Sequence, residues 1–89
     1  MYRYRITVEP VSPNAEGEAV QFEVDNHDDI AAIARRVPSR FGLDEDATKA
    51  LIIGYKVLGE IVLKHRKEPP FVDLRPAMEE FGKSLRKQA

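Results

Sequence analysis

The chain contains no cysteine, and that single absence removes disulfides, thiolate metal sites and thiol nucleophiles together. A reducing compartment, the cytoplasm, is the expected home. An excess of charge is missing as well: 14 Lys and Arg stand against 15 Asp and Glu, for a formal net charge of −1. No overall field therefore draws the molecule to nucleic acid or to an anionic membrane. The longest apolar stretch, Leu51 to Leu63, is broken by Lys56 and Glu60 and falls short of the roughly 20 residues a membrane helix requires. The opening "MYRYRITVEP" alternates charged with apolar residues, so it lacks the apolar run of a secretory leader. No membrane role is expected.

What is present suits a small globular fold. The chain has 89 residues, 43% of them hydrophobic, and a chain of this size buries roughly 60% of its unfolded surface. A single domain over residues 1–89 is expected, without internal repeats.

"YRYRITVEP" places Tyr2, Tyr4, Ile6 and Val8 on one side and Arg3, Arg5, Thr7 and Glu9 on the other, the period of a half-buried strand. "EAVQFEVD" repeats the pattern with Val20, Phe22 and Val24. The Pro-, Asn- and Gly-containing segment between them predicts an antiparallel hairpin with a long solvated loop. Both apolar sets must share one face, and pairing Ile6 with Phe22 satisfies that. That register sets Arg5 against Glu23 and Arg3 against Asp25, and turns the six apolar residues from Tyr4 to Val24 toward the rest of the chain.

The period then changes. Ile30, Ile33, Ala34 and Val37 mark a first amphipathic helix, with Asn26 as its expected N-cap and Pro38 as its stop. Asp44 caps a second helix that runs toward Arg66, and its length makes it the central spine. "PPF" ends it. A third helix follows with Asp73 as cap, Pro76 in its first turn, and a stripe of Leu74, Ala77, Met78, Phe81 and Leu85. The order reads as α+β: an antiparallel β-hairpin followed by three α-helices (ββααα), with one layer of helices on the hairpin.

The long helix is apolar on two sides. Ala47, Ala50, Leu51, Gly54, Leu58, Ile61 and Val62 make the broader face, read as the main core. Ile52, Tyr55, Gly59 and Leu63 make a narrower stripe, which forms the candidate interaction surface for the third helix or a second subunit. Gly54 and Gly59 each cost about 1 kcal/mol relative to Ala, so both are read as points of close packing. "GYKVLGEI" has the glycine gap of a phosphate-binding loop, but Glu60 and Ile61 replace the Lys and Ser/Thr such a loop needs.

The segments "YRYRITVEP", "NHDDI", "GYKVLGEIVLKHRKEPPF" and "RPAMEEFGKSL", in this order and spacing, resemble a family of small bacterial proteins known only as a domain of unknown function. The resemblance covers nearly the whole chain. It implies the fold and supplies no activity, cofactor or partner.

His27 with Asp28 and Asp29 offers metal-ligand chemistry, yet adjacent helical residues diverge by about 100°, and a first-turn capping cluster is the stronger reading. His65 is placed one turn after Ile61, partly buried near the helix end. The tract Lys64, His65, Arg66 and Lys67 forms a candidate basic patch that Arg3 and Arg5 would extend if the hairpin lies nearby. No cofactor, metal or catalytic residue is assigned. The function expected is a non-catalytic interaction or regulatory module that self-associates as a homodimer, with an unidentified protein partner also open. The alternatives are a weak nucleic-acid binder using Lys64, Arg66 and Lys67, and a small enzyme using His65 or His27 with nearby carboxylates. An enzyme requires a concave pocket holding at least two of His65, Glu60, His27 and Asp29.

Overall fold

The computed structural model describes residues 1–14 and 17–87. Strands β1 (Tyr2–Val8) and β2 (Val20–Asn26) are followed by helices α1 (Ile30–Arg36), α2 (Glu45–Lys64) and α3 (Phe71–Lys87), the α+β order read from the sequence. The strands pair antiparallel with Ile6 opposite Phe22, Arg5 opposite Glu23 and Arg3 opposite Asp25. Arg3 bonds both Glu23 and Asp25 at 2.9 Å, and Arg5 reaches Glu23 at 3.3 Å. These side chains are well exposed, so each pair adds little stability. Residues 15 and 16 of the connecting loop lie outside the described residues.

Helices cover only one end of the hairpin's apolar face. Tyr4, Ile6 and Val24 are half-buried, and the Tyr4 hydroxyl donates to Asp29 Oδ1 at 2.7 Å. Val8 and Val20 are each 59% exposed and Phe22 is 42% exposed, against the expectation that all six face the helices. The reason is reach. α2 packs against β2, α1 and α3, but it meets β2 near Val24, and the turn end of the hairpin projects past it. The Cα radius of gyration is 14.6 Å, where about 12 Å is usual for this length.

Capping follows local chemistry in two of three helices. Asp44 accepts the Ala47 N–H at 2.8 Å and starts α2 as expected. α1 is capped by Asp29, which accepts the Ala32 N–H at 3.2 Å, and not by Asn26. Asn26 is committed elsewhere: its Nδ2 donates to the Lys56 carbonyl at 2.9 Å and its Oδ1 accepts the Asp28 N–H at 3.0 Å. α3 begins at Phe71, two residues before the expected cap, so Pro76 lies within the helix and not in its first turn.

Of the broader apolar face of α2 only Val62 is buried, and the core lies around the helix toward Thr48 and Ile52. Thr48, Ile52, Glu60 and Val62 are its buried residues, while Ala50, Gly54, Leu58 and Ile61 are exposed. Ile52 sits among Ile33 and Val37 from the α1 side and Gly82 and Leu85 from α3. Both short-range partners chose this face, and periodicity alone does not rank two apolar sides of one helix. On α3, Met78, Phe81 and Leu85 turn inward, whereas Leu74 and Ala77 are exposed.

Tyr55 ties the two helices together. Its hydroxyl donates to the Met78 carbonyl at 3.0 Å, and its ring meets Phe81 edge-on with centroids 5.5 Å apart. A methyl group on Gly82 would collide with the Tyr55 hydroxyl. The glycine that permits close approach is thus Gly82. Gly54 has nothing within 4 Å, and a methyl on Gly59 would meet only Met78 Cε at 3.8 Å, an ordinary contact.

Candidate functional site

The link from β2 to α1 is pinned to the middle of α2 by polar side chains. Asn26 holds the strand end to the Lys56 carbonyl, as above. One residue on, the His27 N–H donates to Glu60 Oε1 at 3.2 Å, and His27 Nδ1 lies 2.7 Å from the same oxygen. Asp28 Oδ2 accepts from Lys56 Nζ at 2.8 Å. Lys56 and Glu60 are one helical turn apart, so α2 presents a cation and an anion to successive residues of the link.

The electrostatics fit these contacts. Burial pushes the Glu60 carboxyl up, but the two bonds that His27 donates, with Lys64 nearby, outweigh it and hold the group below the usual range. The bond from Lys56 holds the Asp28 carboxyl low against a smaller opposing effect of burial. Glu60 is only 7% exposed, so its carboxylate is stabilised by donors and not by water.

A cavity of about 240 Å³ opens between this link, α2 and α3. Tyr55, Gly59, Val62, Leu63 and Met78 supply its apolar lining, and His27, Asp28, Lys56 and Glu60 its polar wall. Arg75 and Glu79 close the α3 side, bonded to each other at 2.8 Å. Ser, Thr and Cys are absent from the lining among the described residues, and the Tyr55 hydroxyl there is bonded to the Met78 carbonyl. Nor do three His, Asp or Glu side chains converge with metal-ligand geometry among the described residues. The arrangement can accept or hold a proton and can bind.

Two groups of the enzyme alternative, His27 and Glu60, therefore share one cavity. Asp29 is drawn away to Tyr4, whose hydroxyl bond holds its carboxyl low. His65 is not on the core face: it ends α2, is exposed, lies 2.7 Å from Glu68 Oε2 through Nδ1, and rests on the Phe71 ring. The rest of the candidate basic patch, Lys64, Arg66 and Lys67, is exposed. Arg66 donates to the Leu63 carbonyl at 3.1 Å. Lys64 lines a groove with Arg3, so the hairpin does lie nearby, but Arg3 is already neutralised by two carboxylates. Of the candidate interaction stripe, Ile52 is buried, Tyr55 and Gly59 face α3, and Leu63 is exposed at the cavity edge.

Sequence reasoning missed the pairing of His27 with Glu60 because 33 residues separate them. One signal was available: Lys56 and Glu60 are the only charges in the run from Leu51 to Leu63, and a charged pair one turn apart in an apolar helix marks a polar seam.

The fold and this seam define a small α+β domain in which a hairpin is clasped to a central helix through a histidine and a glutamate. Residues 2–87 match DUF3861, described as a domain of unknown function with a solved structure, and the chain belongs to that family. The crystal structure of a protein of unknown function from Pectobacterium atrosepticum is similar, with a TM-score of 0.83, 31% identity and 98% of both chains covered. No curated protein matches the chain. No helix of the described residues is long and apolar enough to cross a membrane.

Proposed function

We propose that the chain is a non-catalytic interaction module that pairs with a second copy of itself. The surface would comprise the uncovered hairpin face, with Val8, Val20 and Phe22, and the solvent side of α2, with Leu58 and Ile61. Val24 and Val57 border the groove between β2 and α2 together with Ile61, so the two patches adjoin there.

The observation that carries this reading is area. The chain exposes 6716 Å², whereas a compact monomer of 10.1 kDa exposes roughly 5,300 Å². The excess of about 1,400 Å² exceeds the roughly 800 Å² that each partner contributes to an interface of standard size. A net charge of −1 sets little repulsion between copies, which favours a second copy over a partner of opposite charge. Two-fold pairing would also bring identical surfaces together without leaving an open end.

Sedimentation velocity over a range of concentrations tests this. The native chain should sediment as a dimer at the upper end, and Phe22→Glu and Ile61→Glu should each shift it to monomer while leaving the circular dichroism spectrum intact. A native chain that stays monomeric throughout overturns the reading and assigns the face to a different partner.

A further inference from the structure

Gly59 occupies the interior of a long helix, where a glycine costs about 1 kcal/mol relative to alanine, and no backbone or rigid group approaches it: the nearest side-chain atom to a methyl there would be Met78 Cε, at 3.8 Å. Packing does not require this glycine. Its missing side chain instead leaves the floor of the cavity beside His27 flat and open. The site lies on the far side of α2 from Gly54, about 140° around the helix, so it is independent of the face assigned to self-association.

We propose that this cavity binds a neutral, single-ring aromatic compound bearing a hydroxyl group, with the ring over Gly59 and Met78 and the hydroxyl donating to His27 Nε2. Three observations select that chemistry. The first is size: about 240 Å³ lies below the roughly 300 Å³ where pockets for drug-sized ligands begin, so the ligand is small. The lining of Val62, Leu63, Tyr55 and Met78 suits an aromatic ring, which gains from a thioether at its edge.

The second observation is the orientation of His27. Glu60 is an acceptor when ionised, so the contact of 2.7 Å with Nδ1 places the proton on Nδ1. A neutral ring then offers Nε2 as an acceptor. Nε2 lies 3.8 Å from Asp28 Oδ2, too far for a hydrogen bond, and the side chain is 59% exposed. A buried carboxylate fixing the tautomer of a histidine whose other nitrogen is free is the arrangement by which proteins aim an imidazole at a ligand.

The third observation argues against an anion. Lys56 is bonded to Asp28 and Arg75 to Glu79, each at 2.8 Å. Three carboxylates face two cations around the rim when His27 is neutral. A phosphate or carboxylate would have to break an ion pair and would enter a negative field, whereas a neutral hydroxyl donor meets an unoccupied acceptor.

Titration with 4-methylphenol, followed by amide shifts in two-dimensional NMR, tests the site. The expected result is saturable binding in the millimolar range that moves the amides of His27, Gly59 and Met78. Anisole, which lacks the donor, should bind about fivefold more weakly, the worth of one hydrogen bond, and benzoate more weakly still. Gly59→Leu fills the cavity and favours the helix, so it should remain folded and lose binding. His27→Leu should erase the difference between 4-methylphenol and anisole. The proposal is overturned if 4-methylphenol shifts no amides saturably, if the shifted amides cluster on the hairpin or around Leu58, if anisole and 4-methylphenol bind equally to the native chain, or if Gly59→Leu binds as the native chain does.

Discussion

His27 and Glu60, 33 residues apart in sequence, meet at 2.7 Å from Nδ1 to Oε1, and the same carboxylate oxygen also accepts the His27 backbone N–H. One carboxylate thus fixes both the path of the chain as it leaves β2 and the orientation of the imidazole.

Acid should loosen this clasp. The Glu60 and Asp28 carboxyls both titrate below their ordinary range in the folded chain. Groups lowered in this way contribute stability that is fully present above the unfolded values of about 4 and is lost as pH falls through the lower folded values. Urea midpoints should decline below about pH 5, and Glu60→Gln should show a shallower decline from a lower starting point. An acid limb identical in Glu60→Gln and the native chain would contradict a stabilising contact.

Asn26 is 1% exposed and satisfies two backbone groups, so Asn26→Ala should cost about 2–3 kcal/mol by stranding the Lys56 carbonyl and the Asp28 N–H. Asn26→Asp should do no better, because it sets an acceptor against the Lys56 carbonyl oxygen. Asp29→Ala, which removes the true cap of α1, should cost about 0.5–2 kcal/mol. Denaturant unfolding of the three variants checks the order, and an Asn26→Asp protein of native stability would refute the assigned donor.

The glycines of α2 and α3 should respond to alanine with opposite signs. Gly59→Ala makes an ordinary contact and gains helix propensity, so stability should rise by up to about 1 kcal/mol. Gly82→Ala drives Tyr55 from its bond to the Met78 carbonyl, and overpacking of about 1–3 kcal/mol exceeds the same gain. Thermal denaturation distinguishes them. A Gly82→Ala protein more stable than the native chain would show that Tyr55 moves freely.

Pro76 lies inside α3, where it provides no N–H for the carbonyl one turn earlier. Pro76→Ala should raise stability by about 1–3 kcal/mol, read as a higher urea midpoint with an unchanged slope. No rise would mean that the helix already bends to suit the proline.

The hairpin register was legible because alternation and parity are local, and Ile6 against Phe22 leaves no other pairing for Arg3 and Arg5. Asp44 was legible as a cap for the same reason. Asn26 was misread because its amide could serve a helix start or a distant carbonyl equally well, and only the fold brings Lys56 within reach. The buried face of α2 was misread because both sides are apolar, and the choice belongs to α1 and α3. The site combined both difficulties: Glu60 pairs with a residue on another element, and the openness at Gly59 depends on where Met78 comes to rest.

The hairpin's attachment at a single end also shapes how the molecule breathes. The strand ends at Val8 and Val20 can part while Ile52, Val62 and Leu85 remain enclosed, because nothing in the core leans on them. Amide hydrogens near the turn should therefore exchange through frequent small openings, and those of α2 around Ile52 only through opening of the whole chain. A second copy seated on the hairpin would slow the first class and leave the second nearly untouched, so exchange rates at Val8 and Gln21 would report assembly directly.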